Sequence, residues 1–537
     1  MEGREVYDAI VVGSGAAGGW AAKELTERGL RTILLEAGRS LDPAVDFTPR
    51  TMGDSKIQLL SRAKALLSGQ HIQARCMSFS PQTRHLFISD RENPYVTPDG
   101  KPFNWYRSRQ VGGRLHLWGR NALRISEYDL KPALQDGFGD NWPISYPELE
   151  PWYEKVEMFL GVSGSPAGIP NIPDGKYDRP HPLTTAEERL LRDLATKWRE
   201  RPATTCRIVR HNPQRIPLPI LAAMKTGCLT LRSDAVVSHI TVDRHTGKAR
   251  GVAFIDRSTK QEYEVFGKTV VLCASTIESL RIMLNSKSSQ HPGGIGNSSG
   301  RLGHSLTDHV MIFQAGPYAP LEKSPKIDPY DFGAQSGIYI PSFRNTAGNK
   351  AQDFIRGYSL LGSVGRLDPG WFFMAVGEML PRPENYVELD PGKRDAYGIP
   401  AARITCTHSD NEKAMIRDMH QSLAELAHDC GLQVDHLKRE HLLNRTVYKL
   451  VSPLVYTGEG ALVPGSAIHE CGGAPMGEAP NLSVLNRFNQ CWDAKNVFVT
   501  DSASFTTAPF QNPGLTIMAL SARAGSFIAG QMRRGDL

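Results

Sequence analysis

The sequence predicts an α/β protein: a parallel-sheet, dinucleotide-binding domain with an antiparallel-sheet domain inserted into it. Three observations predict this. Residues 7–38 read as strand, glycine turn, helix, second strand and terminal acid. Further short buried strands are read far downstream, at 269–272, followed by a small-residue turn, and at 496–500, ending in Asp501, Ser502 and Ala503. From about 310 to 460 the pattern instead alternates between apolar and polar residues, as half-buried antiparallel strands do.

The first stretch carries most of the argument. Residues 9–12 are too uniformly apolar for a half-wet strand, and Gly13, Ser14, Gly15, Ala16, Ala17 and Gly18 follow at once. Gly13 permits the tight turn, Gly15 lets backbone N–H groups reach a pyrophosphate, and Gly18 lets helix and strand pack closely. The helix, read as running to Arg28, points its positive end at that phosphate. Residues 31–35 make the second strand, and Glu36 ends it at about the ~20-residue offset where an acid accepts from an adenosine ribose. A GxGxxG alone is weak; strand, helix, second strand and acid around it make it specific. The spacing leaves FAD and NAD undistinguished.

At 537 residues the chain has room for two to four units. Charged residues at 22% and apolar ones at 40% match an ordinary globular enzyme. A net charge of +6 spread over 62 bases and 56 acids, with no run of like charge, argues against a nucleic-acid partner. No apolar stretch reaches the ~18 residues of a membrane span, and the start runs into the first strand without a signal peptide. The expectation is a cytoplasmic protein, or one exported with a partner subunit. The eight cysteines are scattered without a CxxC pair, so free thiols are expected and no metal site.

Taken in order, residues 39–103, with an amphipathic segment at 57–67, read as an excursion: a lid or subunit contact, or equally a surface insertion. The paired Gly112 and Gly113 sit in an aromatic, basic stretch ending in Trp118 and Gly119, and suggest backbone beside a flat ligand. Its arginines suit a pyrophosphate or a reduced ring, or else a packed loop with a cation–π pair. Residues 148–160 form a helix whose Leu149, Trp152, Val156 and Leu160 recur at core spacing. Strands follow at 229–231, 235–242 and 251–255, then 269–272, where Ala274 begins a turn into a helix at 277–284. His304, Asp308 and His309 lie in a glycine-rich connection; read as metal ligands they lack partners. Antiparallel segments at 337–340 and 386–389 and a helix at 411–430 form the second domain. His469 then stands beside a glycine loop, and Asn512 and Pro513 precede a last helix at 515–529.

Six stretches together resemble the glucose–methanol–choline (GMC) oxidoreductases, which are FAD enzymes: VVGSGAAGG…LLEAG, QVGGRLHLWGR, LCASTIESLRIML, GNSSGRLGHSLTDH, HECGGAPMG and NVFVTDSASFTTAPFQNPGLTIMALSARA. The resemblance implies a Rossmann-like FAD-binding domain of the GMC/glutathione-reductase type, made of 1–50, 104–140, 205–315 and 461–537. It implies an insertion or lid at 51–103 and a substrate domain from 141–204 and 316–460. It places His469 and Asn512 as the catalytic pair, Asp501 and Ser502 beside the flavin's ribityl and phosphate portion, and Val237 by the adenine. A neutral imidazole takes a hydroxyl proton, and a carboxamide orients the same oxygen so that hydride leaves toward the flavin. Some relatives attach FAD through a histidine immediately before the tryptophan; Leu117 stands there and His116 one place earlier, so noncovalent FAD is expected. Only Cys206 and Cys228 lie where some sugar dehydrogenases carry a cysteine cluster, which argues against an iron–sulfur relay.

Within the family the sequence is most similar to the bacterial sugar-oxidising branch: pyranose oxidases, gluconate- and fructose-type dehydrogenases and glucoside 3-dehydrogenases. The implied reaction is oxidation of a secondary ring hydroxyl of a sugar or glycoside, C3 before C2. Oxygen or another electron acceptor completes it, with a small partner subunit as a further possibility. The alternatives are a GMC enzyme for a non-sugar alcohol, a noncatalytic flavoprotein subunit and a nicotinamide-dependent dehydrogenase.

Overall fold

The structure, a computed structural model, describes residues 5–47, 64–65, 67–212, 214–318, 336–346, 348–351, 353–366, 370–434 and 454–537. The amphipathic segment expected at 57–67 lies largely outside the described residues.

The half that contains the N-terminal glycine turn is built on a seven-stranded sheet. Strand β1 (Val6–Val12) pairs in parallel with β2 (Thr32–Leu35), and β2 with β3 (Leu229–Arg232). On its other side β1 pairs in parallel with β6 (Glu262–Leu272), which also takes β13 (Val497–Val499) in parallel. The lower part of β6 pairs antiparallel with β5 (Ala249–Asp256), and β5 with β4 (Ala235–Val242). β6 is therefore one long strand that pairs antiparallel through residues 262–266 and in parallel through residues 266–272. Only its buried half, 269–272, was expected from the sequence, because residues 262–266 are exposed or half-buried and lack an apolar run.

Helix α1 (Ala16–Thr26) and the long C-terminal helix α5 (Gly514–Arg534) pack together over the parallel strands. Ser521 Oγ donates to the Ala17 carbonyl at 2.7 Å across that contact. Helix α2 (Tyr146–Leu160) opens with a capping box between Ser145 and Glu148 and carries Pro147 in its first turn, where a missing N–H costs nothing. Leu149, Val156 and Leu160 are buried as expected, but Tyr153 is the deeply buried aromatic of this helix and Trp152 is only half-buried. Tyr153 reaches Thr516 on α5 at 2.8 Å, so its hydroxyl is satisfied inside the core.

The second half is a five-stranded antiparallel sheet. Its order is β7 (Val310–Pro317), β10 (Gly370–Gly377), β9 (Tyr358–Val364), β8 (Ile338–Ile340) and the two-residue strand Thr204–Thr205. Helix α4 (Asp410–Asp429) lays Met415, Met419 and Leu423 on it, and Gly377 leaves room for the two methionine side chains. The segments at 337–340 and 386–389 do not share a sheet. Tyr386 begins a separate hairpin, β11 (Tyr386–Arg394) with β12 (Pro400–Thr405). That hairpin packs on α3 (Thr276–Asn285), where Arg281 donates to the Pro400 carbonyl at 2.6 Å and pairs with Asp395 at 2.6 Å. Local alternation marks strands but does not say which strands meet.

Candidate active site

The nucleotide end is built around the turn after β1. A Cβ on Gly18 would stand 1.7 Å from the Gly13 carbonyl oxygen, so only glycine lets α1 start this close to the strand. A Cβ on Gly15 would meet nothing within 4 Å, which leaves the N-terminus of α1 open to an anion. The first backbone bond of the helix runs from Gly19 N–H to the Gly15 carbonyl, and the amides before it have no intrahelical partner. Glu36 is buried beside this turn and accepts from Ser14 N–H at 3.1 Å, Ser14 Oγ at 2.5 Å and Gly38 N–H at 2.9 Å. Burial nonetheless pushes its carboxyl above the usual range, so further donors such as ribose hydroxyls would favour the charged form. Ala235 N–H bonds the Glu36 carbonyl at 2.8 Å and brings β4, with Val237 two residues on, to the same edge.

Gly112 and Gly113 both have positive φ, and a Cβ on Gly113 would lie 3.6 Å from the Gly15 Cα. Gly112 N–H donates to Ser14 Oγ at 3.0 Å. The chain then runs through a short turn of helix, Gly113–His116, to Trp118, whose ring would be 3.2 Å from a Cβ on Gly514 at the head of α5. Residues 112–119, Gly119 among them, thus bridge the nucleotide turn and the loop that bears Asn512. The arginines of this stretch are committed elsewhere. Arg107 stacks on Trp105 at 4.0 Å, Arg109 pairs with Glu278 at 2.5 Å, and Arg114 with Glu470 at 2.7 Å. The packed loop with a cation–π pair is what the fold contains, not a set of free phosphate ligands. His116 packs against Phe47 at 5.4 Å and bonds the Val111 carbonyl at 2.8 Å.

Ala274 follows β6 and donates its N–H to Ser279 Oγ at 3.1 Å, while Ser279 donates to Asp501 at 2.5 Å. Burial holds Asp501 up at about 6. Ser502 Oγ donates to the Glu470 carbonyl at 2.9 Å and meets Thr276 Oγ1 at 2.8 Å. The turns after β6 and β13 therefore both reach Glu470, the residue next to His469.

His469 lies on a loop fixed from below by Asp308. That buried carboxylate accepts backbone N–H bonds from Gly465 at 2.7 Å, Ala467 at 3.1 Å and His469 at 3.0 Å. Burial, and after it the nearby Glu470 carboxylate, raise Asp308 to about 7. Ile468, directly before it, stands at φ 65°, a strained position for a β-branched residue. Asn512, with Pro513 as N-cap of α5, faces it: Asn512 Nδ2 is 3.4 Å from His469 Nε2. Burial, then the neighbouring His309 and Arg114, hold the His469 imidazole well below its ordinary value, so it is neutral near pH 7.

His304, Asp308 and His309 point to three different partners, the Pro383 carbonyl, the 465–469 amides and His469. Among the described residues no group of three or more histidine, cysteine or acidic side chains could hold a metal ion. The eight cysteines are free, with Cys206 buried and Cys228 half-buried. Sequence reasoning missed His309 as part of this site, having weighed it only as a ligand. Its one signal is its place directly after Asp308 at the entrance to β7.

Comparison with known proteins decides the identity of this arrangement. Residues 218–311 and 381–521 match the models of the two parts of the GMC oxidoreductases, and residues 8–48 match an FAD-binding domain. The chain belongs to the GMC oxidoreductase family. It is an FAD-dependent oxidoreductase acting on CH–OH groups. The 2-methyl-1,2-propanediol dehydrogenase of Mycolicibacterium austroafricanum is 27% identical, covering 97% of this chain and 95% of its own. The fructose dehydrogenase large subunit of Gluconobacter japonicus is 25% identical over 98% of both chains. The solved pyridoxine 4-oxidase of Mesorbium loti shares the fold at TM-score 0.62 and 16% identity, covering 98% of this chain and 99% of that one. In this GMC oxidoreductase the open helix end at Gly15, the buried Glu36 and the glycine bridge at 112–113 fit FAD. No described helix is long and apolar enough to cross a membrane.

Proposed function

We propose that the protein oxidises a secondary ring hydroxyl of a sugar or glycoside to a keto-sugar, C3 in preference to C2, with His469 as base. The observation that carries this is the pairing of a neutral imidazole and a carboxamide, 3.4 Å apart, at the head of α5. FAD, when bound, would supply the hydride acceptor. The protein's own residues do the rest. His469 Nε2 takes the hydroxyl proton, Asn512 holds the same oxygen, and the strained 465–469 loop fixes the direction of the imidazole. Gly13, Ser14, Gly15, Ala16, Ala17, Gly18, Glu36 and Val237 hold the nucleotide. Gly112, Gly113, Trp118, Gly119, Ala274, Asp501, Ser502, Asn512 and Pro513 would line the flavin, with no covalent link. The domain limits given above assign FAD binding to the first, discontinuous unit and substrate binding to the second.

The sugar reading is supported by a cavity of about 480 Å³ in the second half, reaching Phe510, two residues before Asn512. Its lining sets the polar side chains of Asp129, Asn171, Asn345, Arg356 and Glu378 beside apolar ones such as Ile169, Phe343 and Ile355. Gln511, adjacent to Asn512, donates to Asp129 at 2.9 Å and ties the cavity wall to the catalytic loop. A second reading, a small non-sugar alcohol, is favoured by the 27% identity to a propanediol dehydrogenase.

The test is anaerobic mixing of the yellow protein with sugars, glycosides and small diols, followed by NMR of the product. Flavin bleaching by a sugar with the new carbonyl at C3 supports the proposal. Bleaching by diols alone overturns it, and a carbonyl at C2 or a primary carbon overturns the stated regiochemistry.

A further inference from the structure

Behind the catalytic pair lies a second imidazole. His309 Nδ1 is 2.8 Å from His469 Nδ1, and His309 Nε2 is 2.8 Å from the Pro509 carbonyl. The rings meet edge-on, with centroids 4.8 Å apart and planes at 79°. His309 is buried.

Proton positions along this line follow from chemistry. A carbonyl only accepts, so the proton of His309 sits on Nε2. Burial holds His309 down at about 4, so near neutral pH the ring carries that proton alone and its Nδ1 is bare. A bare nitrogen 2.8 Å from another ring nitrogen requires a donor there, so His469 carries its proton on Nδ1. His469 Nε2 is then the unprotonated atom, and it is the one that Asn512 faces.

We propose that His309 is a positioning residue: it fixes the tautomer of His469, so that the lone pair stands on Nε2, and it receives the charge created when that lone pair takes a proton. This rests on the reading of His469 as base. In the step the alcohol O–H proton moves to His469 Nε2, the C–H hydrogen leaves with its electron pair for the oxidised flavin, and a C=O bond forms. The Nδ1 proton of His469 then has an acceptor in His309 Nδ1, so the positive charge moves one ring away from the substrate while His309 Nε2–H stays on Pro509. The charged neighbours do not take this part. Asp308 is bonded to the amides of the 465–469 loop, and Glu470 Oε2 is paired with Arg114, whose guanidinium also reaches Ser275 Oγ at 2.7 Å and the Ile468 carbonyl at 3.4 Å.

The competing account is that His309 merely ties the 509 loop to β7. The two are separated by His309→Asn, which keeps an acceptor near the Nδ1 position but loses the bond to Pro509, and His309→Gln, which does the reverse. His309→Phe removes both. Each FAD-loaded protein is mixed anaerobically with the panel sugar that reduces the wild type fastest. Separately, the pH dependence of diethylpyrocarbonate labelling of the His469 peptide is read by mass spectrometry. Expected is a bleaching rate down on the order of 10²-fold in His309→Phe and His309→Gln with KM nearly unchanged, and recovery to within about tenfold of wild type in His309→Asn. The labelling midpoint moves to lower pH in the first two and stays near wild type in the third, because the imidazolium loses its acceptor only in the first two. Gln performing as well as Asn, or Phe bleaching and titrating like wild type, overturns the proposal. If Phe does not fold, the Asn and Gln pair decides alone. A His469→Ala protein that bleaches at the wild-type rate instead overturns the reading of the base itself.

Discussion

The pair of substitutions Gly15→Ala and Gly18→Ala separates cofactor binding from folding at a single turn. At Gly15 the backbone is extended, φ −71° and ψ −154°, and a Cβ meets nothing within 4 Å. Alanine there gains roughly 0.4–1 kcal/mol from a stiffer unfolded chain, offset by a similar loss of N-cap preference. The apoprotein should melt within about half a degree of wild type. The added methyl, however, fills the space over the helix end where a pyrophosphate would meet the first amides. Losing two charge-assisted bonds of about 1.5 kcal/mol each weakens FAD binding by about 10²-fold. At Gly18 the methyl would sit 1.7 Å from the Gly13 carbonyl oxygen, backbone against backbone, so α1 must move by more than an ångström. Overpacking of this kind costs about 1–3 kcal/mol or more, which at roughly 2 cal/mol/K of unfolding entropy per residue lowers the Tm of a chain this long by about 1–3 °C or more, and FAD is lost with it. The assay is the melting curve of each apoprotein and the flavin absorbance retained after gel filtration at graded FAD. Gly15→Ala retaining FAD at wild-type affinity, or Gly18→Ala melting like wild type, would refute the reasoning.

Three further outcomes are expected. Because the His469 imidazole is held well below its ordinary value, its base form persists to acid pH: kcat/KM should be flat from pH 7 to 8 and fall only below about 6.5, whereas a rising limb centred above 7 would contradict the assigned cause. Asn512→Ala should lower the anaerobic bleaching rate on the order of 10²-fold while leaving FAD content unchanged, since one oriented donor near the reacting oxygen is lost. Prolonged treatment with EDTA should leave turnover unchanged, consistent with the absence of a metal-binding cluster among the described residues.

The nucleotide half was legible because each of its parts is local. The turn needs glycine at Gly13 and Gly18, Glu36 is tied to β2 by a fixed offset, and the apolar strands of a buried parallel sheet read as uniform runs. His469 and Asn512 were reached through resemblance, and the fold brings them within 3.4 Å across 43 residues. What sequence could not supply was partnership between distant segments. The hairpin of Tyr386 leaves the antiparallel sheet because α3 offers Arg281 to Asp395 and the Pro400 carbonyl, a choice no alternation records. The arginines at 107, 109 and 114 looked available to phosphate because their carboxylate and aromatic partners, Glu278 and Glu470 among them, come from other elements. His309 stayed hidden for the same reason: its partners lie 160 and 200 residues away.

The account depends most on His469 Nε2 taking the hydroxyl proton as hydride leaves for the flavin. Its most direct test is a single anaerobic turnover of His469→Ala, watched at the flavin's visible band, beside wild type and with FAD content matched. The account expects a yellow protein whose band fades 10²- to 10⁴-fold more slowly. A His469→Ala protein that bleaches as fast as wild type with the same sugar would contradict it.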